Sequence, residues 1–280
     1  MNQQHTIADK VEISGIALHS GERVDAALFP AEQNTGVVFS RKGQPGLIQS
    51  CVSSVVNTQL ATTLGDGTVT IRTVEHLLAA LRGIGIDNVR VEVDGSELPV
   101  LDGCAMEWVN LLQGVGLKEQ NAPRRVVHIL EAIEIHDGPR WARLEPASGM
   151  QLDVTIDFDD VHVGRQRLCM ELTPERFVSE LAWARTFGFA EHVPAMKKMG
   201  LVRGGSLENA LVFGPKGPMN PEGLRAKDEP VRHKILDAVG DLALLGFPIE
   251  GRLVAERPGH GIIVALLREV EKQSGRWKTL

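Results

Sequence analysis

The sequence predicts an α+β protein of two similar domains derived from an internal duplication, each a mainly antiparallel sheet with helices on one face. Three observations carry that expectation: strands precede helices in each half, the pattern of the first half returns in the second, and a polar break separates them. The break is Asn121-Ala122-Pro123-Arg124-Arg125, which has little apolar content and sets the domains at 1–122 and 126–280.

The N-terminal stretch alternates as strands do. V-E-I-S-G-I-A-L leads from Val11 to a turn at His19-Ser20-Gly21-Glu22, V-D-A-A-L-F-P-A follows from Val24, and G-V-V-F-S comes after a second turn, which together read as an antiparallel meander. An amphipathic helix is predicted over 73–82, with Thr73 as its cap and Val74, Leu77, Leu78 and Leu81 as the buried stripe. A strand over 88–93 follows it. Beyond the break, 132–138 repeats the first strand and turn, W-A-R-L-E-P-A from Trp141 repeats the second strand, and S-G-M-Q-L-D-V-T-I from Ser148 repeats the third. Leu172-Thr173-Pro174-Glu175 opens a helix directed toward Arg185. Gly200, Gly204, Gly205, Gly214, Pro215, Gly217 and Pro218 mark loops where backbone can approach a ligand. A helix over 231–245, a strand over 249–256 and a short last helix over 268–273 complete the second half.

Composition narrows the function classes. The chain has 280 residues, 30 basic against 36 acidic, for a net charge of −6, so no nucleic-acid surface is indicated. No apolar run approaches a membrane span and the N-terminus lacks the pattern of a signal peptide, so a cytoplasmic protein without a transmembrane segment is expected. Cys51, Cys104 and Cys169 are far apart, which argues against both a disulfide framework and a thiolate zinc site. A bound metal must therefore be held by His and carboxylate. Without a sustained heptad or a large apolar tail, a monomer is expected.

The richest stretch is V-R-H-K-I-L-D-A-V-G-D-L from Val231. His233, Asp237 and Asp241 recur every fourth residue and so stack on one helix face. His233 and Asp237 can share a divalent ion, while Asp241, a turn further on, suits a supporting role. An isolated H-x-x-x-D is nonetheless more often a solvated polar face. If the two halves face each other, His76 supplies a third ligand, and Glu75 lies beside the ion without binding it. Two imidazoles and a carboxylate leave a position open for water, as catalytic zinc sites do, and a nearby carboxylate can act as base. Arg257-Pro258-Gly259-His260-Gly261 places His260 in what reads as an exposed turn; contact with Asp241 would raise its pKa and fit it to protonate a leaving amine.

With these residues assembled, the chain resembles the UDP-3-O-acyl-N-acetylglucosamine deacetylases, zinc amidases of lipid A biosynthesis. The resemblance runs over almost the whole length, on G-I-A-L-H-S-G at Gly15, T-V-E-H-L-L-A-A-L-R-G-I-G-I-D-N at Thr73, E-L-P-V-L-D-G at Glu97, A-R-T-F-G-F at Ala184, G-L-V-R-G-G-S at Gly200, the run from Gly223 to Leu242, and P-G-H-G at Pro258. It implies helices packed between two outer sheets. His76, His233 and Asp237 match the ligands of Zn2+, or of Fe2+, which tolerates the same donors. Glu75 matches the general base, His260 with Asp241 the acid pair, and Thr186 the hydroxyl at the oxyanion. On the substrate side the resemblance assigns Lys234 to the phosphates, Phe187 and Phe189 to an acyl-chain passage, and His19, Leu60, Arg140 and Arg257 to further contacts with a UDP-linked acylated glucosamine. Departures are Gly261-Ile262-Ile263-Val264 in place of a leucine and an asparagine pair, and arginines at 140 and 257 where lysines are frequent. These leave open a paralogous amidase acting on another N-acyl sugar, and, in a different class, a non-catalytic homologue that binds a nucleotide sugar.

Overall fold

The computed structural model describes residues 3–280. Its first sheet runs Val11–Ile16, Arg23–Pro30, Val89–Val93, Val37–Arg41, Ile48–Gln49. In the second half Ile133–Asp137 pairs with Arg140–Glu145, that strand with Ile249–Glu256, and Ile249–Glu256 with Met150–Asp157. The two halves thus lay equivalent strands in the same order and the same directions.

That order departs from the meander read from the sequence. Val37–Arg41 does not pair with the hairpin before it but lies parallel to Val89–Val93, and Met150–Asp157 lies parallel to Ile249–Glu256 in the same way. In each half a helix stands between the two parallel strands, and such a crossover lets the later strand insert beside the hairpin.

Those two helices, Glu75–Ile84 and Glu229–Leu242, form the centre of the molecule. Every residue of the first is buried except Arg82, and every residue of the second except Arg232 and Lys234. Helices buried on nearly all sides need cover on nearly all sides, here each other and the surrounding elements, and a single core cluster joins both halves. Two glycines set the packing distance. A Cβ on Gly240 would lie 2.1 Å from the Glu75 carbonyl oxygen, and one on Gly83 would lie 2.2 Å from the Phe177 ring.

Three further expectations shift. Part of the supposed linker is strand, because Leu117–Pro123 pairs antiparallel with Gln3–Ile7 and leaves the break at 124–126. The helix at Thr173 is capped as predicted, the Thr173 hydroxyl accepting from the Arg176 N–H at 3.2 Å, but it ends in a wide π-turn over Phe177–Leu181, short of Arg185. The last helix is far longer than 268–273: it spans His260–Lys272 and buries Ile262, Ile263, Val264, Leu266, Leu267 and Val270 against the second sheet. No described helix is long and apolar enough to cross a membrane.

Candidate metal centre and active site

The contact between Gly240 and Glu75 brings the start of one central helix against the last turn of the other. Thr73 does not cap that start. It adopts φ 58°, and its hydroxyl donates to Glu97 Oε1 at 2.8 Å, while the helix begins at Glu75 with no side-chain cap. The same Glu97 carboxylate accepts the His19 N–H at 3.0 Å and the Ser20 N–H at 2.9 Å, which ties the loop carrying His19 to the helix start.

His76, His233 and Asp237 converge there, all buried, with one donor atom from each lying within 4.8 Å of the others. Asp237 Oδ1 is 3.3 Å from His233 Nε2 and 3.6 Å from His76 Nε2, and the two rings meet edge to face at 5.1 Å. His233 Nδ1 donates to the Ala184 carbonyl at 3.1 Å, which leaves Nε2 as a lone pair turned to the cluster. Burial pushes His233 down to about 3, so its ring is neutral. Burial would raise Asp237, but the charged Lys234 beside it outweighs this and holds the carboxyl well below its usual range. Asp237 Oδ2 takes Lys234 Nζ at 2.9 Å, whereas Oδ1 is buried with no hydrogen-bond partner. A buried carboxylate oxygen without a partner, facing two imidazole nitrogens, fits a divalent metal ion and little else. All three donors come from one chain, so no second copy is needed to complete the cluster.

The segment carrying Ala184 is itself clamped. Arg185 and Glu229, both buried, pair through Nε–Oε1 at 2.8 Å and Nη2–Oε2 at 3.1 Å, which fixes 184–186 to the start of the second central helix. Thr186 follows directly, its backbone held by Gly103 and Leu211.

Beside the cluster lies a buried chain of acid–base groups. His260 Nδ1 is 2.7 Å from Asp241 Oδ2, and its Nε2 is 3.8 Å from Glu75 Oε1. Burial alone would lower the imidazole, but Asp241 and then Glu75 outweigh it and push His260 up to about 9. Burial also raises Glu75 above its ordinary value. The expectation that His260 sits in an exposed turn is wrong. It is 7% exposed and is the first residue of the last helix, because Gly259 is extended at φ −145° and the helix turns inward from there.

Sequence reasoning missed Thr62. Its hydroxyl donates to Asp241 Oδ1 at 2.6 Å and its backbone N–H to Glu75 Oε2 at 3.0 Å, so one fully buried residue holds both the carboxylate beside the metal cluster and the carboxylate behind the imidazole. Glu97, which anchors the His19 loop, was also missed, as was the Arg185–Glu229 clamp.

The substrate-side residues divide. Phe187 and Phe189 join Phe158 and Phe213 in a half-buried aromatic group, with the Phe187 ring 6.3 Å from that of His233. Lys234 is no free surface lysine, since it pairs with Asp237 and its Nζ lies 5.9 Å from the Phe187 ring centre. His19 is buried, and burial followed by the nearby Arg72 lowers it to about 4; its Nδ1 accepts the Val202 N–H at 3.3 Å and its Nε2 has no partner. Leu60 is exposed at φ 61°. Arg140 and Arg257 take no part in the buried group: Arg140 is exposed at the end of a hairpin, and Arg257 donates to Asp157 Oδ2 at 2.6 Å. Ile262, Ile263 and Val264 pack into the core.

Two facing helices with a buried His–His–Asp group and an adjoining carboxylate–imidazole pair define a metal-dependent hydrolase. The chain belongs to the UDP-3-O-acyl N-acetylglycosamine deacetylase family, whose model matches residues 4–272. It is 42% identical over 282 residues to the UDP-3-O-acyl-N-acetylglucosamine deacetylase of Acidithiobacillus ferrooxidans, covering 99% of this chain and 93% of that one. Enzymes of the same description from an Anaeromyxobacter species and from Myxococcus xanthus are 44% and 45% identical, covering 97% and 95% of this chain and 90% and 86% of theirs.

Proposed function

We propose that this chain hydrolyses the N-acetyl group of a UDP-3-O-acyl-N-acetylglucosamine, releasing acetate and the free amine in lipid A biosynthesis, as a cytoplasmic monomer. The observation that carries this reading is that Glu75, next in sequence to His76 of the His76–His233–Asp237 group, lies 3.8 Å from His260. Those three residues would hold zinc, which supplies Lewis-acid activation of water and of the amide carbonyl; iron suits the same donors.

Glu75, raised by burial and adjacent to a ligand, takes the proton of the attacking water. His260, kept protonated by Asp241, delivers a proton to the departing nitrogen, which an amide needs because an amine anion leaves poorly. Thr186, whose backbone is held on the clamped segment, donates its hydroxyl to the developing oxyanion. Lys234 and His19 meet the nucleotide phosphates and the Phe187–Phe189 group borders the acyl chain, while Leu60, Arg140 and Arg257, outside the buried group, contact the substrate only at its outer parts. The equal strand order of the two halves supports reading 1–122 and 126–280 as duplicated domains with the site at their junction.

The test is acetate release from the UDP-linked substrate by metal-loaded protein, alongside Glu75→Ala and His260→Ala. Turnover near that of the parent in either variant would remove its assigned role, and no acetate from the parent would remove the substrate.

A further inference from the structure

Two adjoining cavities of about 130 and 390 Å3 open beyond the C-terminal ends of the central helices, and no residue of the metal cluster or the acid–base chain lines either. They share a wall of Arg82, Arg124, Ala243 and Phe247. The smaller cavity is mixed, with Gln4, Asn34 and Asn88 as well as Leu78, Leu81 and Ile86 in its lining. The larger is mostly apolar, bordered by Met150, Leu172, Leu242 and Ile249.

Arg82 is the group in this wall that the fold does not account for. Its Nε and Nη1 are buried without a hydrogen-bond partner, and burial lowers it only to about 10, so it stays charged at neutral pH. Asp87 is near enough to favour the Arg82 charge, but neither it nor Glu250 hydrogen-bonds the guanidinium. Asp87 takes Arg124 Nε at 2.8 Å and the His5 N–H at 2.9 Å, and Glu250 faces His128 at 3.5 Å. Arg125 adds a third guanidinium, 4.4 Å from the Phe247 ring centre. Arg82 itself is only partly buried, but leaving its buried Nε and Nη1 unpaired beside other guanidinium groups is costly, and an anion entering the wall would relieve that cost.

We propose that the two cavities form one binding site for a single-chain anionic amphiphile, an alkyl carboxylate whose head meets Arg82 and Arg124 and whose chain fills the larger cavity. The larger cavity lies within the roughly 300–1,000 Å3 of small-molecule sites, and its apolar lining rewards a chain that a bare inorganic anion lacks. The site is independent of the proposed reaction, since it uses none of its residues.

The experiment is photocrosslinking of the metal-loaded protein with a diazirine-bearing dodecanoate, read by peptide mass mapping. Labelling at 172–174 and 239–250 is expected. Arg82→Met should cut it at least about tenfold, equivalent to 1.4 kcal/mol or more of binding, with a thermal midpoint equal to or above the parent's because an unpaired buried charge is gone. Leu172→Trp, which fills the larger cavity while keeping Arg82, should also abolish it. The proposal is overturned by labelling confined to 187–211, by equal labelling from the neutral dodecanol probe, or by full labelling of either variant. A lowered midpoint or failure to fold in Arg82→Met would equally overturn it, since the guanidinium would then have a structural partner.

Discussion

His260 and Asp241 are joined by a buried 2.7 Å contact from Nδ1 to Oδ2, which makes the imidazole a stronger base than burial alone would allow. The ring's ordinary value of 6.5 rises to about 9 in the fold, so the protonated form prevails below that pH and is lost as pH climbs through it. If His260 is the proton donor, activity falls on the alkaline side as the ring deprotonates. Asp241→Asn should move that limb down by at least a unit, a loss of about threefold or more at pH 8.5 with a smaller loss at pH 6. The same linkage makes the pair's contribution to stability fully present below 6.5 and lost as pH rises through about 9, which denaturation midpoints across that window would report. An alkaline limb unmoved in the variant would separate Asp241 from the proton donor.

How much of this was legible in sequence depended on how far apart the partners lie. His233, Asp237 and Asp241 declare themselves because a helix converts a spacing of four into a shared face, and the buried stripe of the first helix fixed which way its Glu75-His76 pair would look. The hairpins were legible for the same local reason. Strand order was not, because inserting Val89–Val93 next to Arg23–Pro30 is a pairing across most of the first half. Gly-His-Gly resembles a turn in isolation, and only the packing of Ile263 and Leu267 reveals a helix beginning at His260. Thr62 carried no signal at all, since one of its two contacts is through backbone and the other reaches a residue in the far half.

Thr62 therefore offers a test of how tightly the site is built. Thr62→Val preserves shape and the N–H to Glu75 but removes the hydroxyl donor to Asp241, leaving a buried carboxylate oxygen unsatisfied. Removal should cost about 1–3 kcal/mol of stability, measured by urea denaturation, and should lower turnover. Thr62→Ser should recover most of both. Equal behaviour of the Val and Ser variants would show that the hydroxyl is not engaged.

Gly240 is a close contact between the two central helices, and its replacement addresses geometry without removing a reactive side chain. In Gly240→Ala the new methyl would stand 2.1 Å from the Glu75 carbonyl oxygen, so the helices must part. Overpacking of this kind costs typically about 1–3 kcal/mol. Because His76 rides on one helix and His233 with Asp237 on the other, metal affinity should fall along with stability. Unaltered metal binding by calorimetry would mean that the cluster tolerates a shifted helix.

Removing the metal should also reveal how much the fold depends on it. The partnerless Asp237 Oδ1 and the two imidazoles belong to different halves of the chain, so an ion bound among them ties the halves together in the folded state and much less in the unfolded one. Binding to the folded state alone stabilises it by about 2.7 kcal/mol when free metal is a hundredfold above its dissociation constant. Dialysis against a chelator should abolish deacetylation and lower the thermal midpoint, and added zinc should restore both. His233→Ala should respond differently: its midpoint should be nearly insensitive to chelator, because one imidazole and one carboxylate hold the ion too weakly to contribute. If the parent's midpoint did not move on chelation, the ion would be bound equally by the unfolded chain or not at this cluster, and metal mapping on Asp237→Ala would decide between them.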